Sequence, residues 1–313
     1  MAEAGVLLAA LAGVALLLAA RRVVRLDLPR EVLLRRYAPP PSAFRQVAGL
    51  TLHLRDEGPR DAPAVLLLHG FGVSLHLWDG WAPLLAERFR VLRCDLPGFG
   101  LTGPDPTGDY SDERAVAVLV ALLDDLGIAR AHVVGSSMGG RIAWRFAAEH
   151  PERVDRLVLL APDGFAEPGA ERKPPRIPWA FRLLPWVLPE RPLRRLAAAG
   201  HGSPETLTEP IFRRTHDLLR APGVRRAMLE RLRQTRPCDP RPFLARITAP
   251  TLLLWGEQDR MIPPSHAEAY RHAIPQAELV VLPGLGHAPM EEAPERSLTP
   301  VLAFLSRAPS AAG

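Results

Sequence analysis

Short apolar runs that alternate with helical patterns limit the possible folds of this chain more than any other feature of its sequence. Ala64–Leu68 is a continuous apolar run, which is typical of a strand buried on both faces of a sheet. Further strands are predicted at Arg90–Cys94, at residues 131–134 and at Val154–Leu160, with helical patterns between them. This alternation predicts an α/β fold with a mostly parallel central sheet and helices on both faces.

The alternation is interrupted between residues 165 and 246. This stretch is rich in Pro, Arg, Leu and Trp, and it contains helical fragments but no convincing buried strand. Because ligands in open α/β sheets bind at the carboxyl edge of the strands, we interpret the stretch as a helical lid inserted over that edge. The predicted organisation is an N-terminal anchor and linker (1–45), a first core part (46–164), the lid (165–246) and a second core part (247–313).

The N-terminus contains an apolar segment, residues 4–20, with no charged residue. At 17 residues it is just long enough to cross a bilayer as a helix. Arginines follow the segment instead of preceding it, unlike the charges of a cleaved secretory signal. We therefore predict a single N-terminal membrane helix, with the catalytic domain on the cytoplasmic side because of the charge bias. The alternative is an amphipathic or buried helix of a soluble protein.

Composition argues against several other classes of protein. The two cysteines, Cys94 and Cys238, are too few for a disulfide framework or for a metal site of four cysteines. A net charge of +5 can indicate nucleic-acid binding, but the basic residues are almost all arginine and form no known nucleic-acid module. We therefore expect neither a metal ion nor a nucleic-acid partner.

The stretch VVGSSMGG, at residues 133–140, contains a G-x-S-x-G pattern centred on Ser137. It lies between a predicted strand and a predicted helix, which is the context of a nucleophile elbow. Small neighbours permit the sharp turn that exposes the serine hydroxyl. The alternative is a tight turn of small residues without a chemical role, so the prediction of a nucleophile depends on finding its partners.

A serine nucleophile needs a base, and the base needs an acid that fixes its tautomer. His287 follows the predicted strand at residues 278–282, and Asp259 follows the one at 251–255. Both loops are expected at the same sheet edge as Ser137, in the chain order Ser, Asp, His of the α/β-hydrolase arrangement. Glu257 is the reserve acid, although it lies closer to its strand.

The tetrahedral intermediate of acyl transfer needs hydrogen-bond donors for its oxyanion. One predicted donor is the backbone N–H of Met138, the residue after the nucleophile. The other is the backbone N–H of Phe71, in the sequence HGFG that follows the strand Ala64–Leu68. Glycines in this loop allow its backbone to approach the substrate closely.

Five segments together resemble the α/β-hydrolase-fold serine hydrolases: LLLHGFG, RCDLPGFGLT, VVGSSMGG, LLLWGEQD and LPGLGHAPMEEAPE. They span the chain from about residue 50 to its end, apart from the lid. The apolar N-terminus together with DLPGFGLTGP is most similar to bacterial membrane-associated lipases and carboxylesterases. Epoxide hydrolases and haloalkane dehalogenases of this fold carry an aspartate at the elbow, so Ser137 argues against both activities.

The expected function is hydrolysis of carboxylic esters through an acyl-serine intermediate, without metal or organic cofactor. A second reading, with the same three residues, is hydrolysis of a carbon–carbon bond in ring-cleavage dienones. A third is a non-catalytic receptor with a hydrolase-like fold, whose expected sign would be a broken triad.

Three tryptophans are candidates for substrate binding. Trp78 is interpreted as lining the pocket, with a packing role as the alternative, and Trp179 and Trp186 lie among apolar lid residues flanked by arginines. Such residues could form the roof of an acyl pocket that rests on an anionic membrane surface. The alternative is that they only pack the lid onto the core.

Overall fold

The computed structural model describes residues 24, 26–165, 177, 179–236 and 238–308. The predicted membrane helix at residues 4–20 therefore lies outside the described residues. Within these ranges, no helix combines the length and the apolar character needed to span a bilayer.

One eight-stranded sheet organises the molecule, with the strand order β1-β2-β4-β3-β5-β6-β7-β8. β1 and β2 pair antiparallel with each other, and β2 pairs antiparallel with β4, whereas the remaining neighbours are parallel. This confirms the predicted α/β-hydrolase fold. The strands are β1 (Ser42–Val47), β2 (Leu50–Glu57), β3 (Ala64–Leu68), β4 (Arg90–Cys94), β5 (Ala131–Ser136), β6 (Val154–Leu160), β7 (Thr251–Gly256) and β8 (Ala277–Leu282).

Helices connect these strands and follow the last of them. They are α1 (Arg30–Tyr37), α2 (Ala82–Ala86), α3 (Asp112–Asp125), α4 (Met138–Glu149), α5 (Glu190–Ala199), α6 (Glu209–Leu218), α7 (Val224–Gln234), α8 (Arg241–Leu244), α9 (Ser265–Ala273), α10 (Pro289–Glu292) and α11 (Pro294–Leu305). Short 3-10 helices lie at Leu75–Trp78, Pro151–Arg153, Trp179–Leu183 and Pro204–Thr206.

Two apolar clusters cover the two faces of the sheet. In β3, Leu66 and Leu68 belong to the cluster that also contains side chains of α3 and α4, whereas Val65 and Leu67 belong to the cluster with α2 and α11. Alternate residues of one strand point to opposite faces, so a strand covered on both faces must be apolar throughout. This explains why the continuous apolar runs predicted the central strands.

The structure differs from the sequence prediction near the N-terminus. Residues predicted as a linker form α1 and β1, and the sheet begins at Ser42, ahead of the boundary drawn at residue 46. The helical pattern between β3 and β4 is divided into a 3-10 turn (Leu75–Trp78) and α2. Gly80 lies at this division, where a Cβ would come within 2.6 Å of Pro294 Cγ, so the break lets the chain pass close to α11.

The described residues between β6 and the start of α8 form helices and turns without a strand of the sheet. We call residues 179–236 the cap. The cap contains most of the described residues of the predicted lid. Hydrogen bonds connect α1 to it. Arg36 Nη1 lies 2.8 Å from Asp217 Oδ2 on α6, and the Tyr37 hydroxyl donates to the same oxygen at 2.9 Å.

Candidate active site

Ser137 lies in a strained turn between β5 and α4. Its backbone has φ of +55° and ψ of −120°, an uncommon conformation for a residue with a side chain. The turn is held from both sides, because the Ser137 N–H donates to Leu160 O at 3.0 Å and its carbonyl accepts from the N–H groups of Arg141 and Asp163. Strain of this kind persists only where neighbouring structure enforces it, and it concentrates at functional sites.

The glycines around Ser137 permit backbone packing that a side chain would block. A Cβ on Gly135 would overlap the carbonyl oxygen of Gly139, and a Cβ on Gly139 would overlap that of Leu68. The first turn of α4 therefore lies directly against β3 and β5. This contact directs the start of the helix, with its partial positive charge, at the serine.

His287 and Asp259 form a buried pair at the ends of β8 and β7. His287 Nδ1 lies 2.7 Å from Asp259 Oδ2, and the carboxylate is inaccessible to solvent. The other carboxylate oxygen accepts from the N–H groups of Met261 at 2.8 Å and Ile262 at 2.9 Å. A carboxylate held in this way accepts a hydrogen bond from the Nδ1–H group of His287. Nε2 of the same ring then carries no proton and is free to act as a base.

Glu257, the reserve acid in the sequence prediction, has a different partner. Its Oε2 accepts from the N–H of Gly284 at 3.0 Å and so supports the turn that leads to His287. The geometry therefore favours Asp259 as the partner of the histidine.

The predicted oxyanion loop passes beside the nucleophile. A Cβ on Gly70 would lie 3.3 Å from Ser137 Cβ. The His69 ring braces this loop, because its Nδ1 donates to Gly70 O at 2.8 Å and its Nε2 accepts from Leu96 N at 3.0 Å. Within the described part of the chain, the N–H groups of Phe71 and Met138 have no hydrogen-bond acceptor, so both remain available to an oxyanion.

The candidate nucleophile and the candidate base line the same cavity, which has a volume of about 280 Å³. Ser137 and His287 both line it, and Glu291 is the carboxylate among its lining residues. No Arg or Lys of the described residues lines it. Its apolar lining comes from the core loops and the cap: Phe71, Val73, Leu77, Phe181, Leu184, Leu188, Leu193, Leu196, Leu207, Ile211, Leu219, Met228 and Met261.

None of the three tryptophans predicted to bind substrate lines this cavity. Trp78 is fully buried in the cluster beneath the sheet and packs on Trp81, with ring centroids 5.3 Å apart. Trp179 and Trp186 are 75% and 54% exposed, and Trp186 borders a separate groove. These three side chains therefore lie away from the cavity, Trp78 because it packs in the core and the other two because the cap turns smaller aliphatic residues toward the site.

The cap also supports His287, the candidate base, a role that the sequence analysis did not detect. Gly200 O accepts from the N–H groups of His287 at 2.7 Å and Ala288 at 3.2 Å. Glu292 bridges the two loops, because its carboxylate accepts from Gly202 N at 2.8 Å and Gly286 N at 2.9 Å. The sequence offered only a weak indication of this contact, namely a Gly-His-Gly triplet in the cap and an acidic pair after His287.

A charged pair links the cap to the helix that follows His287. Arg214 on α6 is bonded to Glu291 and also lies 3.2 Å from Asp79 Oδ2. Burial raises the pKa of Glu291 to about 7, although Arg214 opposes this shift. The ion pair with Arg214 therefore neutralises the charge of Glu291 at the edge of an otherwise apolar cavity. In the part of the chain that is described, no cluster of His, Cys, Asp or Glu could hold a metal ion.

Comparison with known proteins identifies similar chains. Residues 63–294 match the family described as alpha/beta hydrolase fold. A 2-hydroxy-6-oxononadienedioate/2-hydroxy-6-oxononatrienedioate hydrolase of Cupriavidus pinatubonensis is 32% identical in an alignment of 252 residues, and the match covers 75% of this chain and 84% of that protein. Several further curated relatives have the same activity in their names.

Solved structures are similar over larger parts of the chain. A hydrolase from Pseudomonas aeruginosa superposes with a TM-score of 0.74 and 30% identity, covering 86% of this chain and 99% of that one. A bacterial membrane phospholipase A has a TM-score of 0.73 and 32% identity, and the match covers 97% of this chain and 96% of that one.

Proposed function

The chain belongs to the alpha/beta hydrolase family and is a hydrolase, and from this premise we propose that it cleaves carboxylic esters with apolar acyl chains. The observation that carries the proposal is the apolar cavity in whose wall Ser137 and His287 both lie. Acyl chains lose contact with water in such a cavity, which stabilises binding by about 25 cal/mol for each Å² of apolar surface buried.

The reaction follows from the arrangement of the side chains. Ser137 Oγ attacks the ester carbonyl while His287 Nε2 takes its proton, and Asp259 stabilises the resulting imidazolium. The N–H groups of Phe71 and Met138 bind the oxyanion. His287 then protonates the leaving alcohol, and an acyl-serine remains. Water activated by the same histidine releases the acid and restores the serine.

A second candidate is hydrolysis of a carbon–carbon bond in a dienone acid. The names of the curated relatives support this candidate more strongly than ester hydrolysis. Ser137 would attack the ketone carbonyl, the bond to the neighbouring carbon would break, and the departing dienolate would take a proton at that carbon. Water would then hydrolyse the acyl-serine that remains.

The lining of the cavity favours the ester over this alternative. The substrates named for those relatives are dioates, which carry two carboxylates. Burying a carboxylate is costly without a cationic partner. The described lining offers no Arg or Lys, and the nearby Arg214 is already bonded to Glu291 and Asp79.

We also propose that residues 4–20 anchor the protein to a membrane, with the catalytic domain on the cytoplasmic side. The uncharged apolar segment and the arginines that follow it support this proposal. The match to a membrane phospholipase A over 97% of the chain also supports it, and it suggests lipid esters as substrates. Alkaline extraction of cell membranes tests it: the full chain should stay in the pellet, whereas a chain lacking residues 1–23 should be released.

Hydrolysis of a p-nitrophenyl ester series, from short to long acyl chains, tests the proposed reaction. Wild-type protein should hydrolyse these esters, and Ser137→Ala should lose about 10⁴-fold or more in kcat while it keeps the same thermal unfolding transition. A dienone acid serves as the competing substrate. Turnover of the dienone acid without turnover of any ester would reject the proposal in favour of the second candidate.

A further inference from the structure

A second histidine, His201, borders the cavity from the cap. It follows α5, only 3% of its surface is exposed, and it lines the same cavity as Ser137 and His287. Most of that lining is apolar. A buried polar ring in such a place is unfavourable unless its nitrogens have hydrogen-bond partners, so the partner of each nitrogen is informative.

One nitrogen of the ring has its partner within the cap. The Thr206 hydroxyl donates to Ser203 O at 2.7 Å, and His201 Nδ1 lies 2.7 Å from the same hydroxyl oxygen. A hydroxyl has one proton, and that proton is already used in the bond to Ser203. Nδ1 of His201 must therefore carry a hydrogen and donate it to Thr206.

The other nitrogen is a hydrogen-bond acceptor. Burial lowers the pKa of His201 to about 4, so the ring is neutral near pH 7. With the proton on Nδ1, Nε2 has a lone pair and no hydrogen. Nε2 forms no hydrogen bond with any residue that the structure describes. Because Nδ1 is held by the cap, the edge of the ring that carries Nε2 is available to a bound molecule.

The position of His201 relates it to the leaving group. Gly200, the residue before it, holds the backbone of His287 through the 2.7 Å bond to its carbonyl oxygen. In the proposed reaction, His287 delivers a proton to the leaving alcohol. The imidazole next to this support lines the same cavity as His287, so the leaving alcohol is the part of the substrate considered as its partner.

We infer that His201 Nε2 accepts a hydrogen bond from a second hydroxyl group of the leaving alcohol, so the preferred substrates are esters of a polyol such as partly acylated glycerol. This inference rests on the proposed ester hydrolysis and specifies its substrate class. A second hydroxyl on the leaving alcohol can donate to this nitrogen, whereas a simple alcohol that displaces water from it offers no donor. Sites built to bind a substrate hydroxyl discriminate strongly against analogues that lack it.

Another uncharged polar side chain of the lining provides the matched comparison. Thr215 on α6 also borders the cavity, and valine replaces it with nearly the same shape. His201→Phe removes the acceptor and keeps a planar ring. If a hydroxyl is recognised at His201, the two variants should differ in their response to the same substrate change.

The experiment compares a 1-monoacylglycerol with the propyl ester of the same fatty acid. Wild-type protein and the Thr215→Val variant should show at least tenfold higher kcat/KM for the monoacylglycerol. His201→Phe should reduce this ratio to about twofold or less while it still hydrolyses the propyl ester. The propyl ester thus reports that the variant is folded and active.

Three outcomes would overturn the inference. Equal kcat/KM of the wild type for the two esters would reject it while leaving ester hydrolysis intact. Loss of the preference in Thr215→Val, with the preference retained in His201→Phe, would assign the recognition to another residue. Hydrolysis of neither ester by the folded wild-type protein would reject the proposed function and the inference with it.

Discussion

The loops that carry the candidate catalytic residues and the cap that covers them obtain their structure in different ways. In the loops, backbone contacts leave little choice of residue: Ser137 has a strained conformation, and the carbonyl of Leu68 occupies the space of a side chain at Gly139. In the cap, half-exposed helices turn aliphatic side chains toward the cavity, and many residues could fill such positions. The comparison suggests that the reaction is encoded in local sequence and that substrate choice is encoded in packing.

The boundary between these two regions runs through the cap itself. The turn at residues 200–202 shares the character of the catalytic loops, because it bonds to the backbone around His287 and packs closely against it. The segment Trp179–Leu183 is instead exposed, with Trp179 three-quarters accessible. A motion of the whole cap would therefore displace His287, whereas the exposed segment has no such constraint.

The largest effect is expected from Asp259→Asn, which tests the catalytic side of the comparison. The N–H groups of Met261 and Ile262 both require an acceptor at Oδ1. An asparagine that keeps its oxygen there presents its NH₂ group to His287, which then takes the wrong tautomer. We expect kcat to fall about 10⁴-fold. Glu257→Gln is the control, with a change below about threefold; equal losses in both variants would contradict the assignment.

A smaller effect is expected where the cap meets the catalytic loop. A Cβ on Gly202 would lie 2.5 Å from Gly284 O and 2.9 Å from Gly286 N, so Gly202→Ala should displace the backbone that supports His287. A displacement of about 1 Å at a reacting group can cost about a hundredfold in rate. We therefore expect kcat to fall about a hundredfold with little change in KM.

Gly284→Ala is the matched control for this prediction. Its φ of +72° makes alanine unfavourable by about 1 kcal/mol, but nothing lies within 4 Å of the added Cβ. This variant should lose stability and keep its activity. If both alanine variants lose activity equally, close packing of the cap on the catalytic loop is not what positions the histidine.

The sequence predicted these two regions unequally. Ser137, Asp259 and His287 were predicted because their residue types follow particular strands and because acyl transfer requires all three. Trp78, Trp179 and Trp186 were assigned to the pocket from their places in the sequence, and such a place does not determine which way a side chain points. The support from residues 200–202 could not be predicted, because their contact with the histidine loop depends on how the cap folds back over the sheet.

Glu291 lies on the boundary, and it should make stability depend on pH. Its pKa rises from 4.5 to about 7 in the folded protein, so between these values the folded state retains a proton that the unfolded state has released. The free energy of unfolding should therefore decrease as pH rises from 4.5 to 7, by at most about 3 kcal/mol.

Urea titrations of the wild type and Glu291→Gln across this pH range measure that contribution. The wild type should lose stability toward pH 7 more steeply than the variant, and the difference isolates Glu291 from the other titrating groups. Parallel pH profiles for the two proteins would show that the Arg214–Glu291 pair keeps the carboxylate ionised throughout.

Ile211→Trp tests whether the cap selects the substrate. Ile211 lies in α6 and lines the cavity, so a larger ring should occupy space that a long acyl chain needs. We expect kcat/KM to fall about tenfold or more for long acyl chains and to change little for acetate esters. Leu183→Trp is the control, because Leu183 is exposed and does not border the cavity. A similar loss for short and long chains would contradict this role.

The smallest effect is expected from Trp186→Ala, which tests where the boundary lies within the cap. The Trp186 side chain is 54% exposed and borders a groove with Leu26 and Arg225, away from the cavity. Its removal should leave kcat/KM for soluble esters within about twofold of wild type. Phe181→Ala removes a ring of similar exposure that does line the cavity, and we expect a threefold to tenfold loss. A loss in Trp186→Ala that equals or exceeds the loss in Phe181→Ala would mean that the exposed part of the cap also contacts the substrate. The boundary between the two regions would then lie further out in the cap.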